Sequence, residues 1–133
     1  MNCLKENMLI IEMLKSKIHR ATVTEANLDY MGSLTLDEEL IDAAGLKEFE
    51  KIQVLDITNG SRLETYIIKG ERGSGEVCIN GAAAHLIHEG DIVIIVSYCQ
   101  LTENESLNHK PKIVNVDNEN KVTLTSMKEY VYM

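Results

Sequence analysis

A glycine followed by a serine, Gly32-Ser33, is the pair in this sequence with the most reactive potential. A Gly-Ser dipeptide usually marks a turn. Under backbone strain it can also react, because the serine hydroxyl can attack the preceding carbonyl carbon and convert the amide into an ester. Glycine favours this attack, since it has no Cβ to block the approach and permits unusual backbone angles. A second pair, Gly73-Ser74, competes as the reactive site.

Cationic side chains and backbone N–H groups are the candidates for binding an acidic ligand. Arg62 can clamp a carboxylate with two parallel hydrogen bonds, and Lys17 and Arg72 are further candidate cations. The small residues after Asn80 open a short predicted helix, where backbone N–H groups are free to meet an anion. Each also has a plainer interpretation, as a solvated charge or, for Asn80, as a helix cap.

Alternating hydrophobic residues predict that most of the chain forms short strands. We expect strands over residues 18–25, 51–57, 63–68, 77–79, 92–98, 112–116 and 121–125. The Asn59-Gly60 pair between the second and third strands is typical of a β-hairpin, and a last hairpin is predicted over 112–125. The run 92–98 has no polar face, so we expect it to be buried on both sides.

Two small helices are predicted between these strands. The first covers residues 35–44, with Thr35 or Asp37 as its cap and Gly45 as its stop. The second covers 82–87. The segment 25–31 is predicted to be a turn or irregular link. The sequence predicts no long crossover helix between strands. This pattern favours a single mostly-β domain, either a barrel or a sandwich.

The composition excludes several classes of protein. A chain of 133 residues is long enough for one domain with its own core. Its net charge of −8 repels nucleic acid and anionic lipid, so neither is an expected partner. No apolar run approaches the length of a membrane span.

The three cysteines have no metal-site or disulfide spacing, which fits a reduced cytoplasm. His85 and His88 lack a third ligand, so we expect no metal.

Five short motifs together resemble those of the aspartate 1-decarboxylases, pyruvoyl-dependent enzymes that make β-alanine. They are residues 17–24 (KIHRATVT), 28–37 (LDYMGSLTLD), 59–66 (NGSRLETY), 71–74 (ERGS) and 80–85 (NGAAAH). The resemblance extends from about Met8 to about Asn118. We therefore divide the chain into an N-terminal extension, 1–7, a β-barrel decarboxylase domain, 8–126, and a C-terminal tail, 127–133.

For Gly32-Ser33 the resemblance implies self-cleavage between the two residues, with Gly73-Ser74 left intact. The ester formed by the Ser33 hydroxyl eliminates to dehydroalanine, which hydrolyses to a pyruvoyl group with loss of ammonia. The ketone of this group forms a Schiff base with the substrate amine, and the adjacent carbonyl draws off electrons as CO2 leaves. The implied cofactor is therefore covalent and derived from Ser33.

The resemblance also implies roles for other residues. Tyr66 matches the tyrosine that returns a proton to the substrate, while Arg62 and Lys17 match the cations that hold its second carboxylate. Thr65 matches a threonine of both processing and substrate contact. The remaining implied substrate contacts are Asn80, Gly81, Ala82 and Ala83, and the site is lined further by His19 and Tyr30.

The fold that the resemblance implies is a double-psi β-barrel, assembled as a homotetramer with active sites between neighbouring subunits. The implied reaction is decarboxylation of L-aspartate to β-alanine for pantothenate and coenzyme A synthesis in the cytoplasm. Cleavage is either spontaneous or assisted by a maturation partner. Two alternatives remain open: glutamate as the substrate, and a non-catalytic acidic barrel that binds a small ligand or a protein, with Gly32-Ser33 as an ordinary turn.

Overall fold

The computed structural model describes residues 9–126, and most of these residues lie in strands. The strands are β1 (Ile10–Thr22), β2 (Glu25–Asn27), β3 (Ser33–Asp37), β4 (Lys51–Asp56), β5 (Arg62–Gly70), β6 (Val77–Asn80), β7 (Ile92–Thr102), β8 (Lys112–Val116) and β9 (Val122–Ser126). The helical segments are α1 (Glu38–Ala43), a 3-10 helix (Gly81–His85) and α2 (Glu103–Ser106). The predicted extension 1–7, the predicted domain start at Met8 and the predicted tail 127–133 lie outside the described residues.

The strands form one sheet with mixed parallel and antiparallel neighbours, in the order β2-β6-β3-β5-β4-β7-β1-β8-β9. Strand β3 lies between β6, which runs antiparallel to it, and β5, which runs parallel. Two more parallel pairs, β1 with β8 and β2 with β6, join strands that are distant in sequence. The prediction of a single mostly-β domain with small helices is confirmed.

Both predicted hairpins are present. Strands β4 and β5 pair antiparallel across the Asn59-Gly60 turn, where Gly60 adopts a φ of 79°. The Asp56 carboxylate supports this turn by accepting hydrogen bonds from the backbone N–H groups of Thr58 and Asn59 at 2.8 and 3.1 Å. Strands β8 and β9 form the second hairpin.

The predicted helix over 35–44 begins three residues too early, and of its two predicted caps Asp37 is confirmed while Thr35 is wrong. Thr35 belongs to β3, and the helix α1 begins only after Asp37, whose carboxylate accepts from the Glu39 N–H at 2.8 Å. Leu34 and Leu36 are fully buried on either side of Thr35, so pairing with β5 and β6 decides the conformation here. Gly45 ends the helix as predicted, with a φ of 68°.

Three further expectations need correction. Strand β1 begins at Ile10 rather than residue 18, because its first half pairs with β7, and it ends at Thr22. The segment predicted to be an irregular link, 25–31, contains the short strand β2. The run 92–98 lies within β7 but is not buried on both faces, because Val93 and Ile95 face the core while Ile94 is half-buried and Tyr98 is 46% exposed.

One buried carboxylate, Asp37, ties the end of β3 to the glycine-rich loop 71–76. It is 1% exposed. Its Oδ1 accepts from the N–H groups of Glu39 and Gly73, and its Oδ2 accepts from that of Gly75, at 2.8 to 2.9 Å. Burial alone would raise the pKa of Asp37, but these three hydrogen bonds and the nearby Lys121 hold it below its ordinary value.

We expect Asp37→Asn to lower the free energy of unfolding by about 1–3 kcal/mol at neutral pH, because an amide leaves a buried N–H donor unpaired. A lowered pKa means that the folded state binds fewer protons, so this stabilisation is present above the ordinary aspartate value of about 3.9 and lost as pH falls through the folded value. Urea unfolding at a series of pH values measures both effects, and the gap between wild type and variant should close in acid.

The matched control is Asp42→Asn, at an exposed carboxylate that pairs with Arg72 on the surface. An exposed pair contributes little to stability. Equal losses for the two variants would contradict the role assigned to Asp37.

Candidate active site

The strand pairing brings Gly32-Ser33 against the end of β6. Ser33 is the first residue of β3 and lies directly opposite Asn80 in the antiparallel pair. In the parallel pair, Leu34 matches Ile67, so Ser33 begins its strand level with Tyr66 on β5. Ser33 is 2% exposed, whereas Gly32 lies just outside the strand at the surface.

The Asn80 side chain contacts the Ser33 hydroxyl directly. Its Nδ2 donates to Ser33 Oγ at 3.0 Å and to Thr35 Oγ1 at 2.9 Å, and its Oδ1 lies 3.2 Å from the Cys78 sulfur. It makes no cap hydrogen bond to the 3-10 helix that follows, so the alternative interpretation of Asn80 as a side-chain cap fails. The Ser33 hydroxyl is thus buried and held by one oriented amide.

An open cavity of about 410 Å³, called the Ser33 cavity below, lies beside Gly32 and Asn80. Its lining is formed by Gly32, Leu63, Glu64, Thr65, Tyr66, Asn80, Ala82, Ala83 and Leu86. Six of these nine were predicted site residues. The Tyr66 side chain is 38% exposed at the cavity wall, within reach of a small molecule bound there.

Gly81 packs its backbone against the backbone of Gly32. It adopts a φ of 72°, and a Cβ at this position would lie 2.8 Å from both the Cα and the N of Gly32 and 3.0 Å from the carbonyl oxygen of Tyr30. A side chain therefore cannot be accommodated without moving the segment that carries Gly32 and Ser33. This contact places the backbone of Gly81 and Tyr30 beside Gly32, whereas the Tyr30 ring is exposed.

The predicted cations lie elsewhere in the single chain. Lys17 on β1 lies in a hollow of about 220 Å³ whose other walls are Leu14, Leu55, Ile94, Val96 and Tyr98. Burial among them lowers the pKa of Lys17. Arg62 is exposed at the start of β5, opposite Leu55. Side chains directly opposite each other on paired strands, and every second side chain along a strand, lie on the same face of a sheet. Arg62 pairs with Leu55, which pairs with Ile94, and Lys17 pairs with Val96. Both cations therefore lie on one face of the sheet, called the outer face below.

His19 also lies away from the Ser33 cavity, on β1. Burial lowers the pKa of its imidazole, and the charges of Lys17 and Arg20 lower it further. Its Nδ1 is buried without a hydrogen-bond partner among the described residues. Both effects on the pKa favour the neutral imidazole of His19.

The competing residues have local structural roles. The Arg72 guanidinium pairs with Glu38 and Asp42 on α1, away from the cavity. Ser74 donates its hydroxyl to the Glu71 carbonyl at 2.6 Å, which is an ordinary turn contact. The Gly73-Ser74 pair therefore has the geometry of a turn.

Within residues 9–126, no helix is long and apolar enough to cross a membrane. The same residues contain no group of three or more His, Cys, Asp and Glu side chains arranged to hold a metal ion. The thiols of Cys78 and Cys99 are both free.

Sequence reasoning missed two residues that contact Asn80, namely Thr35 and Cys78. Thr35 was assigned to a helix, which hides its position two residues after Ser33 on the same side of a strand. Cys78 stands in the same relation to Asn80 on β6. The cavity walls Leu63, Glu64 and Leu86 were also missed, and nothing in their residue types singles them out.

The fold and the site together define a mostly-β domain with a buried serine after a glycine, beside a cavity fit for a small molecule. The chain belongs to the aspartate decarboxylase family, whose sequence model matches residues 8–123. It is 64% identical to the aspartate 1-decarboxylase of Caldicellulosiruptor bescii over 91% of this chain and 94% of that protein. It is 59% identical to the aspartate 1-decarboxylase of Acetivibrio thermocellus over 86% of this chain and 90% of that protein. It is 60% identical to the aspartate 1-decarboxylase of Corynebacterium efficiens over 83% of this chain and 81% of that protein.

We expect Gly81→Ala to destabilise the chain more than Gly90→Ala does. Both glycines adopt left-handed angles, of 72° and 89°, so each substitution has a conformational cost of about 1–2 kcal/mol. Only Gly81 also has backbone atoms within 3 Å of the added Cβ, whereas nothing lies within 4 Å at Gly90. The overlap should add about 1–3 kcal/mol, measured by urea unfolding. Similar losses for both variants would contradict the close contact of Gly81 with Gly32.

Proposed function

We propose that this chain is a self-processing, pyruvoyl-dependent decarboxylase that converts L-aspartate to β-alanine and CO2 for pantothenate and coenzyme A synthesis. Membership of the aspartate decarboxylase family supports the reaction class. The structural observation that carries the proposal is the buried Ser33 hydroxyl, held 3.0 Å from Asn80 Nδ2 directly after an unhindered glycine.

Processing starts with attack of Ser33 Oγ on the carbonyl carbon of Gly32. The new C–O bond replaces the C–N bond, and the hydroxyl proton goes to the freed amine. Removal of the Ser33 α-proton then breaks the Cβ–Oγ bond, which leaves a carboxylate on Gly32 and dehydroalanine at position 33. Addition of water and loss of ammonia convert the dehydroalanine into a pyruvoyl group.

The surroundings of the pair support this sequence of steps. Gly32 has open space where a Cβ would be, so the approach to its carbonyl is not blocked on that side. Thr65 lines the same cavity as Gly32, and in the proposal its hydroxyl donates to the oxyanion that develops on the Gly32 carbonyl. Burial of Ser33 keeps bulk water away from the nucleophile.

The pyruvoyl group supplies an electron sink for loss of CO2. The residues around it fit such a group, because the cavity is lined mainly by small and apolar side chains, with the Asn80 amide available as a donor. In the proposal Tyr66 gives its phenolic proton to the substrate carbon that CO2 leaves. The backbone around Gly81, Ala82 and Ala83 forms the opposite wall and contacts the substrate.

The substrate's second carboxylate needs a cation, and in one chain neither Lys17 nor Arg62 lines the Ser33 cavity. We infer that a neighbouring subunit of a homotetramer presents these two side chains, with His19 close to them, to the Ser33 cavity. The half-buried Leu14, Leu55 and Ile94 around Lys17 support this, since they leave apolar surface on the outer face. Local cations are required because the chain as a whole carries a charge of −8.

Replacement of the nucleophile tests the proposed processing. Ser33→Ala should remain a single chain and show no aspartate turnover, whereas Ser74→Ala, at the other Gly-Ser pair, should be cleaved and active. Intact mass under denaturing conditions is the measurement. Wild type should give two fragments that meet after Gly32, the larger one lacking an ammonia relative to an N-terminal serine. Turnover by Ser33→Ala would contradict the mechanism, and an uncleaved wild type after prolonged warm incubation would favour a binding protein or a required maturation partner.

Mixed assemblies test the contribution of a neighbour. Lys17→Ala and Ser33→Ala should each be inactive alone. When the two variants are co-expressed, aspartate turnover should return at about a quarter of the sites. Random assembly places a subunit with an intact Ser33 beside a neighbour with an intact Lys17 at that frequency. The matched control pairs Ser33→Ala with Tyr66→Phe. Those two residues belong to one cavity of one chain, so this mixture should stay inactive. Equal behaviour of the two mixtures would contradict a site shared between subunits.

A further inference from the structure

We propose that Thr35 and Cys78 are positioning residues that fix the Asn80 side-chain amide with its N–H facing Ser33 Oγ, and thereby set the rate of self-cleavage. The inference rests on the proposed processing at Ser33. Neither residue touches the Gly32 carbonyl in the described contacts. Their effect is exerted through Asn80.

Both polar atoms of the Asn80 side chain have hydrogen-bond partners. Its two N–H groups point to Ser33 Oγ at 3.0 Å and Thr35 Oγ1 at 2.9 Å, and its oxygen lies 3.2 Å from Cys78 Sγ. Thr35 and Cys78 are directly opposite each other in the β3–β6 pair, as are Ser33 and Asn80. Two cross-strand pairs, separated by the Leu34–Ile79 pair, therefore surround one amide group.

Cys78 determines which end of the amide faces the serine. Its side chain is buried, and burial together with the carboxylates of Glu25 and Glu76 raises the pKa of the thiol to about 11. The thiol therefore keeps its hydrogen at neutral pH and can donate it. Asn80 Oδ1 at 3.2 Å is a closer acceptor than the Glu25 carboxylate at 3.8 Å.

Thr35 cannot set this orientation alone, because a hydroxyl both donates and accepts. With the S–H of Cys78 directed to Oδ1, the amide presents Nδ2 to both hydroxyls. An Asn80 N–H then holds Ser33 Oγ in place and stabilises the negative charge that develops as Oγ loses its proton. A reversed amide would instead accept the Ser33 hydrogen on Oδ1 and turn the hydroxyl towards Asn80.

The test is the rate at which freshly purified, uncleaved protein converts to two fragments, followed by intact mass. Cys78→Ala and Thr35→Val should each slow cleavage by about tenfold, the effect of losing one orienting hydrogen bond. Cys78→Ser keeps a donor and should cleave within about threefold of wild type. Cys99→Ala is the control for loss of a thiol elsewhere, on β7, and should cleave at the wild-type rate.

A double variant distinguishes positioning from packing. Because both residues act through one amide, Cys78→Ala with Thr35→Val should slow cleavage by less than the product of the single effects. Thermal unfolding of each precursor shows whether it is folded, and Thr35→Val, which keeps the side-chain shape, carries the test if Cys78→Ala does not fold.

The outcomes separate the two proposals. If wild type is never cleaved after Gly32, the proposed processing fails. If wild type is cleaved but the folded Thr35→Val and Cys78→Ala variants match its rate, or if Cys78→Ser is as slow as Cys78→Ala, the positioning role is overturned while the processing stands.

Discussion

The pairing of β3 between β5 and β6 is the constraint on which the rest of the structure depends. Leu34 and Leu36 are fully buried, and each pairs with residues of both neighbouring strands, so this strand cannot shift by one residue without exposing both side chains. Ser33, the proposed nucleophile, is its first residue and has the same fixed position. Gly32 lies one residue outside the strand, at the surface.

Both ends of this strand are fixed by buried polar side chains. Asp37 at one end accepts three backbone N–H groups, and Asn80 at the other end contacts Ser33, Thr35 and Cys78. Buried polar groups are costly unless they are hydrogen-bonded, so each arrangement is specific to one conformation. The hydrogen bonds that fix the strand therefore also fix the Ser33 hydroxyl, next to the Gly32–Ser33 peptide bond.

The sequence predicts the local features of this fold better than the distant ones. The Asn59-Gly60 hairpin and the Asp37–Gly45 boundaries follow from turn and cap preferences that act over a few residues. Thr35 was assigned to a helix because its cap signal is local, whereas its strand partners lie more than 30 residues away. The motifs indicated Gly32, Thr65, Tyr66 and Asn80 together. Thr35 and Cys78 contact Asn80 only because β3 and β6 pair in one particular register, which no local pattern specifies.

The proposed site residues divide between two surfaces, and this division separates the requirements of the proposed cleavage from those of the proposed turnover. Ser33, Asn80 and Thr65 belong to neighbouring strands of one chain, so folding alone assembles the groups that the proposed cleavage uses. Lys17 and Arg62 lie on the outer face, where the aliphatic side chains around Lys17 disfavour its charged form. A substrate carboxylate brought against that face would favour the charged form of Lys17. In the proposed enzyme, cofactor formation therefore depends on the fold of each chain, whereas substrate binding depends on the contact between chains.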